Sequence, residues 1–117
     1  MSWHAFEAGA TVGTPGTEGG ITLLDDEHDG GARMTLERCG AIAPHAITCG
    51  IYGVMVHTRY FSEEGPARTQ YDIMKIALET LLDLWPDADE PPDDLERDAK
   101  KDRFYAAVSQ FVEEYPS

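Results

Sequence analysis

Basic residues are scarce in this chain. Nine Lys and Arg stand against 22 Asp and Glu, a formal charge of −13 over 117 residues. A field of that sign repels nucleic acid and anionic membrane surfaces, because both are gripped through cationic side chains. The one basic patch is Arg97–Arg103. Cysteine is limited to Cys39 and Cys49, too few for a disulfide-stapled scaffold. No apolar run approaches the roughly 18 residues of a membrane helix. The opening MSWHAFEAGATVG has neither the basic nor the apolar region of a secretory signal. These absences predict a cytoplasmic protein with reduced thiols, no nucleic-acid partner and no membrane.

Signature motifs are equally sparse. Gly9–Gly20 holds five Gly and one Pro, but no G-x-x-x-x-G-K-[ST] follows from it and no helix-forming run comes next. It reads as a connecting loop rather than a phosphate cradle. No G-x-S-x-G elbow, C-x-x-C pair or H-x-x-x-H pair occurs. The acidic cluster Asp25, Asp26, Glu27 and Asp29 lacks the spacing of a calcium loop and reads as a polar hairpin tip. No internal repeat is visible.

What is present is a run of strand-forming segments followed by two helical ones. Trp3–Glu7 is a candidate edge strand. Ile21–Asp26 and Ala32–Cys39 flank Asp29-Gly30, a pair suited to a two-residue hairpin turn. That turn sets Leu23 opposite Leu36 and Asp26 opposite Arg33. It gathers Ile21, Leu23, Met34 and Leu36 on one face and Thr22, Thr35 and Glu37 on the other, with Leu24 the misfit. A turn that included Gly31 would shift the pairing.

Ala46–Phe61, AITCGIYGVMVHTRYF, is the segment richest in β-branched and aromatic residues. Gly50-Ile51-Tyr52-Gly53 predicts a second hairpin, with one long bulged strand as the competing view. Both faces carry apolar residues: Ile47, Cys49 and Ile51 against Val54, Val56 and Tyr60. Such a segment is covered on both sides or meets a partner on one.

Ser62–Trp85 is the clearest helix. Ala67, Tyr71, Met74, Leu78, Leu81 and Trp85 recur at intervals of three and four. Pro66 suits its first turn, and Arg68–Asp72 and Lys75–Glu79 are expected i,i+4 pairs. Pro86 should stop it. An acidic linker over 86–94 leads to a second helix, with Asp93 and Glu96 as a capping box. Phe104, Val108, Phe111 and Tyr115 form the second stripe.

Strands followed by helices predict an α+β two-layer domain spanning 1–117. Its mainly antiparallel sheet has four to five strands within residues 3–61. Two C-terminal helices, about 66–85 and 94–115, pack on one face. At this length a chain buries roughly two-thirds of its unfolded surface, enough for a core without staples.

Candidate sites gather on the central segment. Tyr52, Met55, His57, Arg59 and Phe61 are of the types enriched at protein interfaces. They form the candidate partner-binding set, with Met55, His57, Arg59 and Phe61 expected on the face turned away from the helices. His45, Cys49 and His57 have donor atoms suited to Zn²⁺, with Cys39 nearby. Cys49 with His57 is also the candidate nucleophile pair. Cys39 and Cys49 lie symmetrically about Pro44, which would make them cross-strand neighbours.

The expected function is a small acidic, non-enzymatic protein-binding module. An inhibitor or immunity-type protein for a basic partner would fit, with no cofactor. The alternatives are a metal- or thiol-dependent enzyme built on His45, Cys49 and His57, and a structural homodimer.

Overall fold

The computed structural model describes residues 3–85 and 95–116. Five strands form one antiparallel sheet: β1 (Trp3–Ala5), β2 (Ile21–His28), β3 (Ala32–Arg38), β4 (His45–Ile51) and β5 (Met55–Phe61). Their spatial order is their chain order, a simple meander. Two helices follow, α1 (Glu64–Asp83) and α2 (Leu95–Glu114). This is the α+β arrangement expected from strands first and helices second. Among the described residues no helix is long and apolar enough to cross a membrane.

The core lies between the sheet and the helices. Met34 and Leu36 from β3 and Ile47, Cys49 and Ile51 from β4 meet Ala67, Tyr71, Met74, Leu78 and Leu81 of α1. Phe104, Val108 and Phe111 of α2 complete it. Both helical stripes therefore bury as their periodicity predicts, except that Trp85 is left 41% exposed; each large buried side chain contributes about 1.5–3 kcal/mol. α1 begins at Glu64, which leaves Pro66 in the first turn, where its missing N–H has no helical acceptor to lose. It ends before Trp85. That ring instead packs edge-on against Phe104, with centroids 4.9 Å apart. Pro86, the linker over 86–94 and Asp93 of the expected cap lie outside the described residues.

The first hairpin departs from the two-residue turn. Gly31 takes up a left-handed φ of 103°, so the turn spans three residues and His28 pairs with Ala32. Glu27, not Asp26, therefore faces Arg33, and Leu24, not Leu23, faces Leu36. Two successive glycines make this extra residue cheap. A bulge between Thr22 and Leu24 absorbs it, and Thr22 then pairs with Glu37. Leu24, the misfit of the sequence pattern, is thereby turned into the core, and Leu23 packs there too.

The second hairpin is present, with Ile51 paired to Met55 and Gly53 at φ 74° in the turn. β3 and β4 pair Arg38 with His45 and Met34 with Cys49. The connection is thus not centred on Pro44, and Cys39 lies beyond the ladder. Both cysteines are free, Cys39 exposed and Cys49 buried. Of the expected helical ion pairs, Arg68 turns back to Glu64 at 3.2 Å. Lys75 leaves its helix to meet Asp26 of β2 at 3.2 Å, beside the Tyr71 hydroxyl.

Candidate functional site

Directly opposed residues in a ladder share a face. Met55, His57, Arg59 and Phe61 oppose Ile51, Cys49, Ile47 and His45, so they lie on the helix side of the sheet. The expectation that they face away from the helices is corrected by this register. His57 donates from Nε2 to the Tyr115 carbonyl. Arg59 donates from Nε to the Pro116 carbonyl at 3.0 Å and from Nη1 to Gln70 Oε1 at 2.8 Å. Its guanidinium also sits over the Phe61 and Tyr115 rings. These side chains clasp the end of α2 to β5. Tyr52 is the most exposed of the candidate set, at 56%, and lines a smaller hollow with Leu82 of α1 and Phe104 of α2.

The metal and thiol candidates are only partly brought together. Cys49 opposes His57, but His45 lies four residues along β4, about 13 Å by strand rise. Burial pushes the Cys49 thiol up to about 12, opposed only by Arg59. A neutral thiol is a poor nucleophile and a poor metal ligand. Among the described residues no group of three His, Cys, Asp or Glu is placed to hold a metal ion.

The acidic run is a polar hairpin end whose carboxylates are partnered. Its members alternate between the two faces of β2, and each finds a partner. Asp26 accepts from Tyr71 and Lys75 on the helix side. Glu27 accepts from the Tyr52 hydroxyl, and His4 lies between Glu27 and Asp29 at 3.4 and 3.3 Å. Asp25 points to the opposite face, where it is paired with Arg33.

That opposite face carries a trough of about 730 Å³. Its floor is Thr22, Asp25, Arg33, Thr35 and Thr48, contributed by β2, β3 and β4. One wall is the turn of the second hairpin, from Gly50 through Tyr52 to Val56; the other is Thr11, Thr14, Pro15, Gly16 and Thr17 of the glycine-rich loop. The volume lies within the range typical of binding clefts. Val56, 80% exposed, and Tyr52 give the hairpin wall an apolar surface.

Buried carboxylates hold the loop wall in place. Glu37, almost wholly buried, accepts the backbone N–H groups of Glu18 and Gly20. Gly16 lies so close that a Cβ there would come within 2.3 Å of the Glu37 carboxyl carbon. Thr11 donates to Asp25 Oδ2 at 2.8 Å, and Tyr60 donates to Glu18 at 2.6 Å. The loop thus accounts for its polar groups by borrowing acceptors from the sheet.

In the trough floor, the Asp25 hydrogen bonds raise the Arg33 guanidinium further above its usual value, partly offset by burial. The Phe6 ring covers it at 3.7 Å. Tyr52 is pushed up to about 12, first by desolvation and then by its bond to Glu27.

The chain matches no protein-family model, and neither the curated proteins nor the solved structures contain a match.

The trough escaped the sequence reading, apart from Tyr52. Its signal was the second alternation in the strands. Thr35 and Glu37 alternate with Met34 and Leu36, and Thr48 alternates with Ile47 and Cys49. That polar face reads as solvated until the loop is seen to fold back over it.

Proposed function

We propose that this chain is a small acidic, non-enzymatic module that receives a basic protein partner in the trough. The observation that carries this reading is the uncovered, concave sheet face with Tyr52 and Val56 exposed on its wall. Aromatic and aliphatic anchors beside a cleft are the usual centre of a protein interface. The net charge of −13 supports a cationic partner, because opposite charge steers encounter and like charge rejects wrong partners. An inhibitor or immunity-type role fits this design. The same charge argues against nucleic acid as a partner. Two free cysteines support a reducing compartment such as the cytoplasm.

An enzymatic reading finds less support. The trough lining includes no histidine, and its Asp25 and Arg33 are bonded to each other.

The test is to isolate the natural partner and compare wild type with Val56→Glu and Tyr52→Ala. Loss of one anchor should weaken binding by about 1–2 kcal/mol, roughly tenfold. Added salt should slow association, since screening shortens the reach of the field. A partner bound equally well by both variants, or indifferent to salt, would remove the proposal.

A further inference from the structure

The hydrogen-bonding groups inside the trough are unevenly used. Its carboxylate, Asp25, already accepts from Arg33 Nε, Arg33 Nη2 and Thr11 Oγ1. Its donors are less committed. Arg33 Nη1 makes no hydrogen bond among the described residues, although the rest of that guanidinium is fixed by Asp25 and by the Phe6 ring. The hydroxyls of Thr17, Thr22 and Thr35 likewise have no partner among the described residues, while those of Thr11 and Thr14 do. Arg33 Nη1 can only donate, and the threonine hydroxyls can donate or accept, so a ligand that satisfies the guanidinium must bring an acceptor.

That acceptor is not a free anion. Around Arg33, the one cation among the described lining residues, stand Asp25 in the floor, Glu27 bonded to the Tyr52 wall, and Glu18 and Glu37 beside the loop wall. A small carboxylate or phosphate would enter against net negative charge. A neutral acceptor would not. Glu27 accepts the Tyr52 hydroxyl on one oxygen and has His4 3.4 Å from the other, and Glu18 accepts the Tyr60 hydroxyl on one oxygen. A carboxylate has about four acceptor positions, so both retain capacity for a cation.

Neutral acceptors flanked by cationic and apolar side chains describe an extended basic peptide. A helix would not serve, because its carbonyls are consumed by its own i→i−4 bonds. We infer that the occupant of the trough is an extended segment of the basic partner. Its backbone carbonyls accept from Arg33 Nη1 and the threonine hydroxyls, its apolar side chains lie on Tyr52 and Val56, and its cationic side chains reach Glu18 and Glu27. This inference rests on the trough being the partner site and adds the form of the segment that it takes.

Two probes separate the inference from the reading beneath it. One is a peptide of about seven residues alternating valine and lysine, the length of one strand. The other is a lysine–leucine amphipathic peptide of equal charge that folds as a helix. Each is titrated into the full chain while backbone amide shifts are followed by NMR. The alternating peptide should bind and shift Thr35, Thr48 and Val56. Thr35→Val removes a hydroxyl that bonds to nothing within the described residues. It should leave the fold intact and weaken that binding by about three- to tenfold. Preference for the helical peptide in the same trough would overturn the inference and leave the partner site standing. So would binding of the alternating peptide that Thr35→Val does not alter. Failure of both peptides to bind, or shifts confined to the helices, would overturn the inference and count against the trough as well.

Discussion

Asp25 and Arg33 meet edge to edge on the uncovered face of the sheet. Nε lies 2.9 Å from Oδ1 and Nη2 lies 2.6 Å from Oδ2. The two side chains are unequally sheltered, with 1% of Asp25 and 37% of Arg33 exposed. Removing either partner therefore has different consequences. Arg33→Ala strands a buried carboxylate with Thr11 as its remaining side-chain partner and should cost about 3 kcal/mol. Asp25→Ala leaves a guanidinium that water can reach and should cost about 1 kcal/mol. Urea unfolding of the two variants checks the order; equal losses would mean that the pair does not anchor the floor.

The Glu37 latch makes a separate prediction. Glu37→Ala strands the N–H groups of Glu18 and Gly20, each worth about 1–3 kcal/mol if left buried and unpaired. Gly16→Ala attacks the same latch by contact alone, since its Cβ would displace the Glu37 carboxyl. It should cost about 1–3 kcal/mol. Hydrogen exchange at Glu18 and Gly20 should accelerate in both variants while β3 and β4 stay protected. Unchanged exchange at those two amides would show that the loop is held by other means.

Alkaline pH should destabilise the protein. Cys49 and Tyr52 are each held up to about 12, against usual values of 9.0 and 10.0. Between those limits the unfolded chain loses protons that the folded one keeps, so stability falls as pH rises. The contribution is intact below about pH 9 and is lost by about pH 12. Urea midpoints at neutral pH and at about pH 11 should show the fall, and Cys49→Val should flatten part of it. A thiol-modifying reagent should label Cys39 in the native protein and reach Cys49 only on unfolding. Rapid labelling of both would contradict the buried thiol.

His57 and Arg59 should govern stability rather than partner binding. Arg59→Ala removes bonds to Gln70 and Pro116 and the packing on Tyr115. It should cost about 1–3 kcal/mol and loosen the end of α2. Affinity for the partner should stay within about twofold of wild type, because additivity holds for separated sites. A folded Arg59→Ala variant that no longer binds would move the site from the trough to the helix side of the sheet.

Most of the architecture could be read from periodicity. The stripes of Ala67, Tyr71, Met74, Leu78 and Leu81 and of Phe104, Val108 and Phe111 follow the helical repeat and are buried as read. The strands alternate, and glycines mark the turns. The trough was harder to read. Tyr52, which lines its wall, was singled out by its type and its place in a turn. Arg33, Thr35 and Thr48 were not, because one strand's polar residues look the same whether they face water or a cleft. Lys75 illustrates the same limit. Its helical neighbour Glu79 was visible in the sequence, but Asp26, 49 residues away, was not.

Local chemistry determined that this chain makes strands, then helices, with an excess of acidic side chains and two cysteines to place. Those properties depend on neighbours three or four residues apart and on composition, both written in one dimension. Tertiary structure decided the direction of each face. Gly31 added one residue to a turn, a bulge at Leu23 took it back, and between them they set Asp25 on the uncovered face and Asp26 on the helix face. The return of the Gly9–Gly20 loop over the polar face then made a trough from residues that are far apart in the chain. A one-residue change of register reverses every side chain, and only the packed sheet selects which register holds.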